Sequence, residues 1–214
     1  MARIAVLGGT GYAGGHIVRE AVARGHEVTS YSRNAPAEPV EGATYVTGSA
    51  TDDGFVPAVL ADADVVIESL APRGPLEGRV RPIVAALAAA APAAGVRLGV
   101  IGGAGSLQVA PGGPQLFTTA EFPDAFKAEA LEMGGALDDL RETPAELDWF
   151  YVSPAAGFGG YAPGEATGSF RVGGDVLLAD DEGTSFISGA DLATAIVDEI
   201  ETPTHRRQRF TVAY

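Results

Sequence analysis

The sequence predicts an α/β fold of the Rossmann type, a doubly wound parallel sheet with a small C-terminal cap, and three observations support this prediction. A glycine-rich loop at residues 8–14 joins an apolar run of strand length to a helical pattern. Apolar runs then alternate with helical patterns through the first two-thirds of the chain, which is typical of a parallel sheet covered by helices on both faces. Two long irregular segments, residues 102–122 and 154–168, follow the fifth and sixth predicted strands, where such sheets bind ligands.

The elements of this fold are predicted in chain order from the period of the apolar residues. The predicted strands are Arg3–Leu7, Glu27–Tyr31, Thr44–Thr47, Asp64–Glu68, Arg97–Ile101 and Trp149–Val152. The predicted helices are a first one ending at Arg24 before a stop at Gly25, then Phe55–Leu60, one from Val80 to a stop at Gly95, and Asp124–Glu142. The Gly-rich remainder predicts short strands at Ser169–Val172, Val176–Ala179 and Thr184–Ser188, a helix at Ala190–Ile200 and a last strand at Arg209–Val212. We expect one domain over residues 1–214, with a core at about 1–153 and a cap with substrate loops at about 154–214.

Composition and charge exclude several classes of function. A chain of 214 residues with 46% hydrophobic residues can bury the core of one domain. A net charge of −14 argues against a nucleic-acid partner, because such binding depends on Lys and Arg neutralising phosphates. The absence of cysteine and the scatter of three histidines predict no metal site. The longest apolar helix is too short and too Ala-rich to span a bilayer, so we expect no membrane partner and a soluble, cytoplasmic protein.

The glycine loop has the spacing of a phosphate-binding loop. Gly8 allows the chain to turn off the strand, Gly11 lets the backbone approach a pyrophosphate, and Gly14 lets the helix pack against the strand. Backbone N–H groups at the helix N-terminus favour negative charge. A tight turn without a ligand is the alternative.

The residues after the next strands indicate which dinucleotide binds. Ser32, Arg33 and Asn34 stand where NAD-binding folds often carry an acid, and Arg33 can pair with a 2′-phosphate. We therefore predict NADP(H) in preference to NAD(H), the alternative being that Arg33 is an ordinary exposed arginine. Ser49 and Ala50 follow the third strand, and residues 69–71 follow the fourth, at the edge where adenine and ribose would lie; ordinary turn chemistry explains them equally well.

Several stretches resemble the atypical, NmrA-like branch of the short-chain dehydrogenase/reductases, and within it the NAD(P)H-flavin reductases related to biliverdin reductase B. They are residues 8–15, 32–34, 101–107, 122–130, 151–155 and 209–212. The resemblance implies cofactor contacts that fall into three groups. Gly8, Thr10, Gly11, Tyr12, Ala13 and Gly14 would contact the phosphates; Ser32 and Arg33 the 2′-phosphate; and Ser69, Leu70, Ala71, Gly102, Gly103, Ser153, Pro154 and Ala155 the nicotinamide side. This chain departs from the family at Ser49, where many relatives have Asp, and at Pro123, where typical short-chain dehydrogenases have the tyrosine of their Tyr-x-x-x-Lys pair.

The absence of this tyrosine affects which hydride acceptor we expect. Reducing a ketone requires an acid, whereas a flavin or quinone spreads the charge of an arriving hydride and takes a proton from solvent. We therefore predict an NADPH-dependent oxidoreductase acting on a small conjugated acceptor such as FMN, riboflavin or a quinone. Lys127 would hold the nicotinamide ribose and Ser106 would donate to the acceptor, with a solvated lysine and a turn hydroxyl as the alternatives, and Tyr161 could lie over the acceptor. A non-catalytic NADP(H) sensor and a nucleotide-sugar epimerase or dehydratase remain as other functions, and the sequence leaves the oligomeric state open.

Overall fold

The structure, a computed structural model, describes all 214 residues and is built on one eight-stranded sheet. Its strands are β1 (Arg3–Leu7), β2 (Glu27–Ser32), β3 (Ala43–Thr47), β4 (Val65–Glu68), β5 (Arg97–Ile101), β6 (Trp149–Pro154), β7 (Arg171–Gly173) and β8 (Gln208–Ala213). Their spatial order is β3-β2-β1-β4-β5-β6-β8-β7, and only β7 runs antiparallel to its neighbour. The first six strands have the order of a Rossmann sheet, so the predicted fold class is confirmed.

Five α-helices cover the two faces of the sheet. They are α1 (Tyr12–Ala23), α2 (Phe55–Leu60), α3 (Val80–Ala94), α4 (Lys127–Arg141) and α5 (Gly189–Glu201). Helices α2, α3 and α4 share one buried cluster of 23 residues with the sheet, and α1 and α5 share another of 22. Because both faces are covered, the central strands β4, β5 and β6 are buried along their whole length and mostly apolar, rather than alternating.

Helix ends follow the signals in the sequence. Gly25 and Gly95 follow α1 and α3 with φ angles of +79° and +68°, the left-handed conformation that ends a helix. The predicted helix Asp124–Glu142 divides into a single 3₁₀ turn, Asp124–Phe126, and α4. Ser188 caps α5 by accepting a hydrogen bond from the Asp191 amide at 3.1 Å.

The C-terminal third joins the sheet directly, because β8 pairs in parallel with β6 and β7 forms the edge beside β8. The strands predicted at Val176–Ala179 and Thr184–Ser188 are wrong. These segments make only single bridges, from Val176 to Gln108 and from Phe186 to Gly157. The pattern was misleading because these segments contain apolar residues but have only loops beside them, and a strand needs a continuous partner. No helix in the structure has the length and apolar character that crossing a membrane requires.

Candidate functional site

A cavity of about 800 Å³ opens at the carboxyl ends of the parallel strands. The loops after β1, β2, β3, β4, β5 and β6 line it together with α4. It spans the point where the chain turns from the β1–β2–β3 half of the sheet to the β4–β5–β6 half, which is where ligands bind in this architecture. The geometry thus concentrates the predicted residues at one edge of the sheet.

The glycine loop has the shape that its sequence predicted. Gly8 has a φ angle of +82°, which only glycine adopts without strain, and it turns the chain away from β1. A Cβ atom on Gly14 would lie 2.4 Å from the Gly8 carbonyl oxygen and 2.7 Å from Ser69 Oγ. Gly14 is therefore required by the close approach of α1 to the loops after β1 and β4, and it does not itself line the cavity.

The N-terminus of α1 points its first backbone amides at the cavity. Gly11 is the residue before the helix, and no side chain caps it. Thr10, Gly11, Tyr12 and Ala13 all line the cavity. The Tyr12 hydroxyl donates to the Pro163 carbonyl at 2.9 Å and accepts from the Gly189 amide at 3.0 Å. Tyr12 thereby ties the phosphate-type loop to the C-terminal part of the chain, a role that the sequence did not reveal.

Arg33 lies at the cavity rim after β2, exposed and without an ion pair. Eight other arginines do form ion pairs, with Asp, Glu or both. Ser32 and Asn34 do not line the cavity, and Ser32 Oγ instead accepts a hydrogen bond from the Thr10 amide at 3.3 Å. A free guanidinium at this rim can pair with an anionic ligand group without breaking an existing contact.

The loops after β3 and β4 form a wall of the cavity, and the loop after β4 lies against α1. Ser49 and Ala50 line the cavity, and the Ser49 amide donates to Asp52 Oδ2 at 3.0 Å within a tight turn. Ser69 and Leu70 line it as well, with Ser69 Oγ donating to the Leu7 carbonyl at 2.6 Å. Ala71 completes this wall.

A buried carboxyl group stands immediately before this wall. Glu68, the last residue of β4, is fully buried; its Oε1 accepts from the Leu70 amide at 2.7 Å, and its Oε2 has no hydrogen-bond partner. Burial raises the pKa of Glu68 to about 8, against the lowering effect of the Leu70 amide and with a further raising effect from the charge of Glu132. At neutral pH Glu68 is therefore mainly a neutral acid.

The loops after β5 and β6 form the inner part of the cavity. Gly102, Gly103, Pro154 and Ala155 line it. Ser153, predicted with them, is instead fully buried within β6, and its Oγ has no hydrogen-bond partner.

Lys127 and Ser106 differ in position. Lys127 Nζ forms an ion pair with Asp124 Oδ1 at 2.7 Å, and Lys127 is not among the residues that line the cavity. Ser106 lines the cavity, is 6% exposed, and accepts a hydrogen bond at 2.9 Å from Arg209 Nη1. The structure thus brings Ser106 to the predicted nicotinamide residues and leaves Lys127 turned toward Asp124.

The cavity also contains residues to which sequence reasoning gave no role. Leu116, Phe122, Phe126, Met133, Arg73 and Glu129 line it beside Tyr161. Arg73 pairs with Glu129, and its guanidinium lies 5.6 Å from the centre of the Phe126 ring. Tyr161 is 66% exposed at the mouth of the cavity. The signal for these residues was the pair of long loops, which indicated a binding region but not which side chains enter it.

Comparison with known proteins agrees with this arrangement. A family model described as "NAD(P)H-binding" matches residues 8–203. The chain belongs to this NAD(P)H-binding family. Among curated proteins, the "uncharacterized protein YwnB" of Bacillus subtilis is 36% identical over 211 residues, which cover 98% of this chain and 97% of that protein.

Solved structures of this NAD(P)H-binding family's fold cover the whole chain. A "putative exported protein" from Burkholderia pseudomallei is 42% identical with a TM-score of 0.85, and each chain is covered completely. A "putative epimerase" from Bacteroides thetaiotaomicron is 32% identical with a TM-score of 0.86, covering 99% of this chain and 96% of that one. A "putative NADH-flavin reductase" from Streptococcus pneumoniae is 31% identical with a TM-score of 0.82, covering 100% and 99%.

Proposed function

We propose that this NAD(P)H-binding protein is an NADPH-dependent oxidoreductase that transfers hydride to a flavin, a quinone or a similar conjugated acceptor. The observation that carries the proposal is the composition of the cavity at the carboxyl ends of the strands. It begins at the α1 N-terminus and Arg33 and ends among aromatic and apolar side chains, with Pro123 where a ketone reductase would need its tyrosine. A relative of similar length is named as a flavin reductase, which supports this choice of acceptor.

The residues present suit the dinucleotide. The amides of the α1 N-terminus would hold the pyrophosphate, and Arg33 would pair with the 2′-phosphate. Leu70, Pro154 and Ala155 would hold the nicotinamide ring, which supplies the hydride when it is bound. Lys127 remains a proposed contact to the nicotinamide ribose, and that contact requires its side chain to leave Asp124.

This reaction does not require an acidic side chain of the protein as the proton donor. The acceptor takes a hydride, which is two electrons and one proton, and a second proton from solvent, giving the reduced flavin or hydroquinone and the oxidised cofactor. Phe122, Phe126 and Tyr161 offer ring faces against which a planar acceptor can pack. Ser106 is the polar group that would orient it.

The test follows NADPH absorbance with riboflavin, FMN and a simple quinone as acceptors, and repeats each assay with NADH. We expect turnover with at least one acceptor and a higher kcat/KM for NADPH. Comparable kcat/KM values for NADH and NADPH would contradict the predicted cofactor preference. Tight NADPH binding without turnover on any acceptor would overturn the proposed activity.

That last outcome would favour a second function, an NADP(H)-binding sensor that does not turn the cofactor over. Its supporting observation is Lys127, which is held by Asp124 outside the cavity. A sensor would change the exposure of its loops on cofactor binding. Limited proteolysis with NADP+ and NADPH would then differ at residues 154–168.

A third function follows from the relative named as an epimerase. Pro123 argues against this function, because epimerases and dehydratases that resemble short-chain dehydrogenases also use the tyrosine that Pro123 replaces. A nucleotide sugar that raised the unfolding temperature would favour this function, because only a ligand of the folded state stabilises it.

A further inference from the structure

A buried guanidinium lies directly behind the cavity. Arg209 is in β8 beside Tyr151 of β6, and its side chain is 3% exposed. Its Nη1 donates to Ser106 Oγ at 2.9 Å, and its Nε donates to Asp175 Oδ1 at 2.8 Å. A cation so completely removed from water destabilises the folded protein unless its N–H donors have hydrogen-bond acceptors. Ser106 Oγ is one of those acceptors.

The direction of this hydrogen bond follows from the chemistry of the two groups. A guanidinium has only donors, so Ser106 Oγ must be the acceptor. Ser106 makes no other side-chain hydrogen bond in the structure, so its single hydroxyl proton has no protein acceptor. Because Ser106 lines the cavity, that proton is available to a ligand.

The position of Arg209 is itself fixed from outside the site. Asp175 Oδ1 accepts from Arg209 and also from Arg141 Nη2 at 2.9 Å. The Asp175 carbonyl accepts from the amide of Gln108 at 2.8 Å, two residues after Ser106. The loop after β7 therefore braces both the guanidinium and the loop that carries the hydroxyl.

We propose that Arg209 is a positioning residue for hydride transfer: it holds Ser106 Oγ as an acceptor and so directs the Ser106 hydroxyl to donate to the molecule that receives the hydride. This inference rests on the proposed function. The acceptor must then carry a carbonyl oxygen or ring nitrogen beside its reducible position, as flavins and quinones do.

The test is a double-mutant cycle on Ser106→Ala and Arg209→Gln, with Arg141→Gln as the matched control. Arg141 binds the same aspartate as Arg209 and makes no contact with Ser106. For each variant we would measure the unfolding midpoint, the Kd for NADPH, the Kd of riboflavin for the NADP+ complex, and kcat with riboflavin and NADPH. If Arg209→Gln does not fold, Arg209→Lys takes its place: an ammonium can still donate to Ser106, so Arg209→Lys should retain more turnover than Ser106→Ala.

We expect Ser106→Ala and Arg209→Gln each to lower kcat and weaken riboflavin binding about tenfold, the value of one charge-assisted hydrogen bond. The double variant should match Ser106→Ala alone, and the Kd for NADPH should not change. The positioning role would be overturned if the losses of kcat in the two single variants multiplied in the double variant. It would also be overturned if Arg141→Gln lost as much kcat as Arg209→Gln. Either result would leave the reductase function intact. Failure of the wild type to bind or reduce riboflavin, FMN and quinones would instead refute the proposed function, and this inference with it.

Discussion

Two buried glutamates at opposite ends of the sheet, Glu199 and Glu68, have pKa values that are shifted in opposite directions. Glu199, near the amino ends of the strands, accepts from Arg97 Nη2 at 2.6 Å, from Thr204 Oγ1 at 2.7 Å and from the His205 amide at 3.0 Å. Burial alone would raise its pKa, but these hydrogen bonds outweigh burial and lower the pKa to about 2. Glu68, at the carboxyl end, has one donor and a raised pKa.

The difference separates a structural end from a functional end of the molecule. The ion pair of Glu199 closes the C-terminus of α5 against the start of β5. At the other end, polar groups lack partners: Glu68 Oε2, the free Arg33 guanidinium and the Ser106 hydroxyl proton. The Arg33 guanidinium and the Ser106 hydroxyl both line the cavity, and polar groups that lack a protein partner there are available to a ligand, as expected of a binding site.

The largest expected effect comes from replacing Glu199, the glutamate at the structural end, by glutamine. Glu199→Gln leaves the Arg97 guanidinium, 8% exposed, without its buried counter-charge. We expect the free energy of unfolding to fall by about 3 kcal/mol, as measured by urea denaturation at neutral pH. Glu201→Gln, on the same helix but more exposed, is the control and should change the midpoint little. Equal losses in the two variants would contradict the assigned role of Glu199.

Glu68→Gln should behave differently, and its effect should depend on pH. The folded-state pKa of about 8 lies above the ordinary value of 4.5, so the folded protein keeps a proton that the unfolded chain loses. Its contribution to stability is present below pH 4.5 and declines as pH rises toward 8. Between about pH 6 and about pH 7.5 the wild type should lose about 2 kcal/mol more than Glu68→Gln. Glu77→Gln, exposed after the same strand, should follow the wild type; a Glu68→Gln variant that did the same would refute the raised pKa.

At the functional end, Arg33→Ala should weaken NADPH binding about tenfold and leave NADH binding unchanged, because only NADPH carries the 2′-phosphate. Equilibrium titration of cofactor fluorescence measures both affinities. Arg19→Ala removes an exposed arginine that does not line the cavity and serves as the control. A parallel loss of affinity for NADH would assign Arg33 to another part of the cofactor.

The smallest expected effect concerns Lys127. Asp124→Asn weakens its exposed ion pair and frees Lys127 to turn toward the cavity. If Lys127 contacts the bound cofactor, NADPH affinity should rise roughly twofold, the scale of a surface pair. The rise should be absent in the Lys127→Ala background. An Asp124→Asn variant with unchanged affinity would assign Lys127 to the helix surface alone.

The period of the apolar residues was sufficient to predict most of the fold. Six strands of the sheet and the helices between them lie where alternating patterns placed them, because each element must bury its own apolar face. The strands predicted at 176–179 and 184–188 are wrong, because an apolar pattern indicates that a segment is buried but does not indicate whether another strand lies beside it.

The candidate site was predictable where chemistry is local to a motif. The glycine loop, Arg33 and the glycines after β5 were named from the sequence, and they line one cavity. Residues 209–212 are among the stretches that resemble the family, but the contact of Arg209 with Ser106 could not be predicted in this way, because the two residues are 103 positions apart in the chain. The position of Lys127 relative to Asp124 also depends on a 3₁₀ turn that the helical pattern concealed.

By itself, the sequence determined the class of fold, the glycine loop and the absence of the tyrosine, since each depends on residue type and short spacing. Only the tertiary structure decided which polar groups are satisfied. Glu68 and Glu199 are the same residue type, and their pKa values move in opposite directions because Glu199 accepts from Arg97, Thr204 and His205, whereas Glu68 accepts only from the Leu70 amide. Hydrogen bonding and burial are properties of neighbours in space, which the order of residues along the chain does not specify.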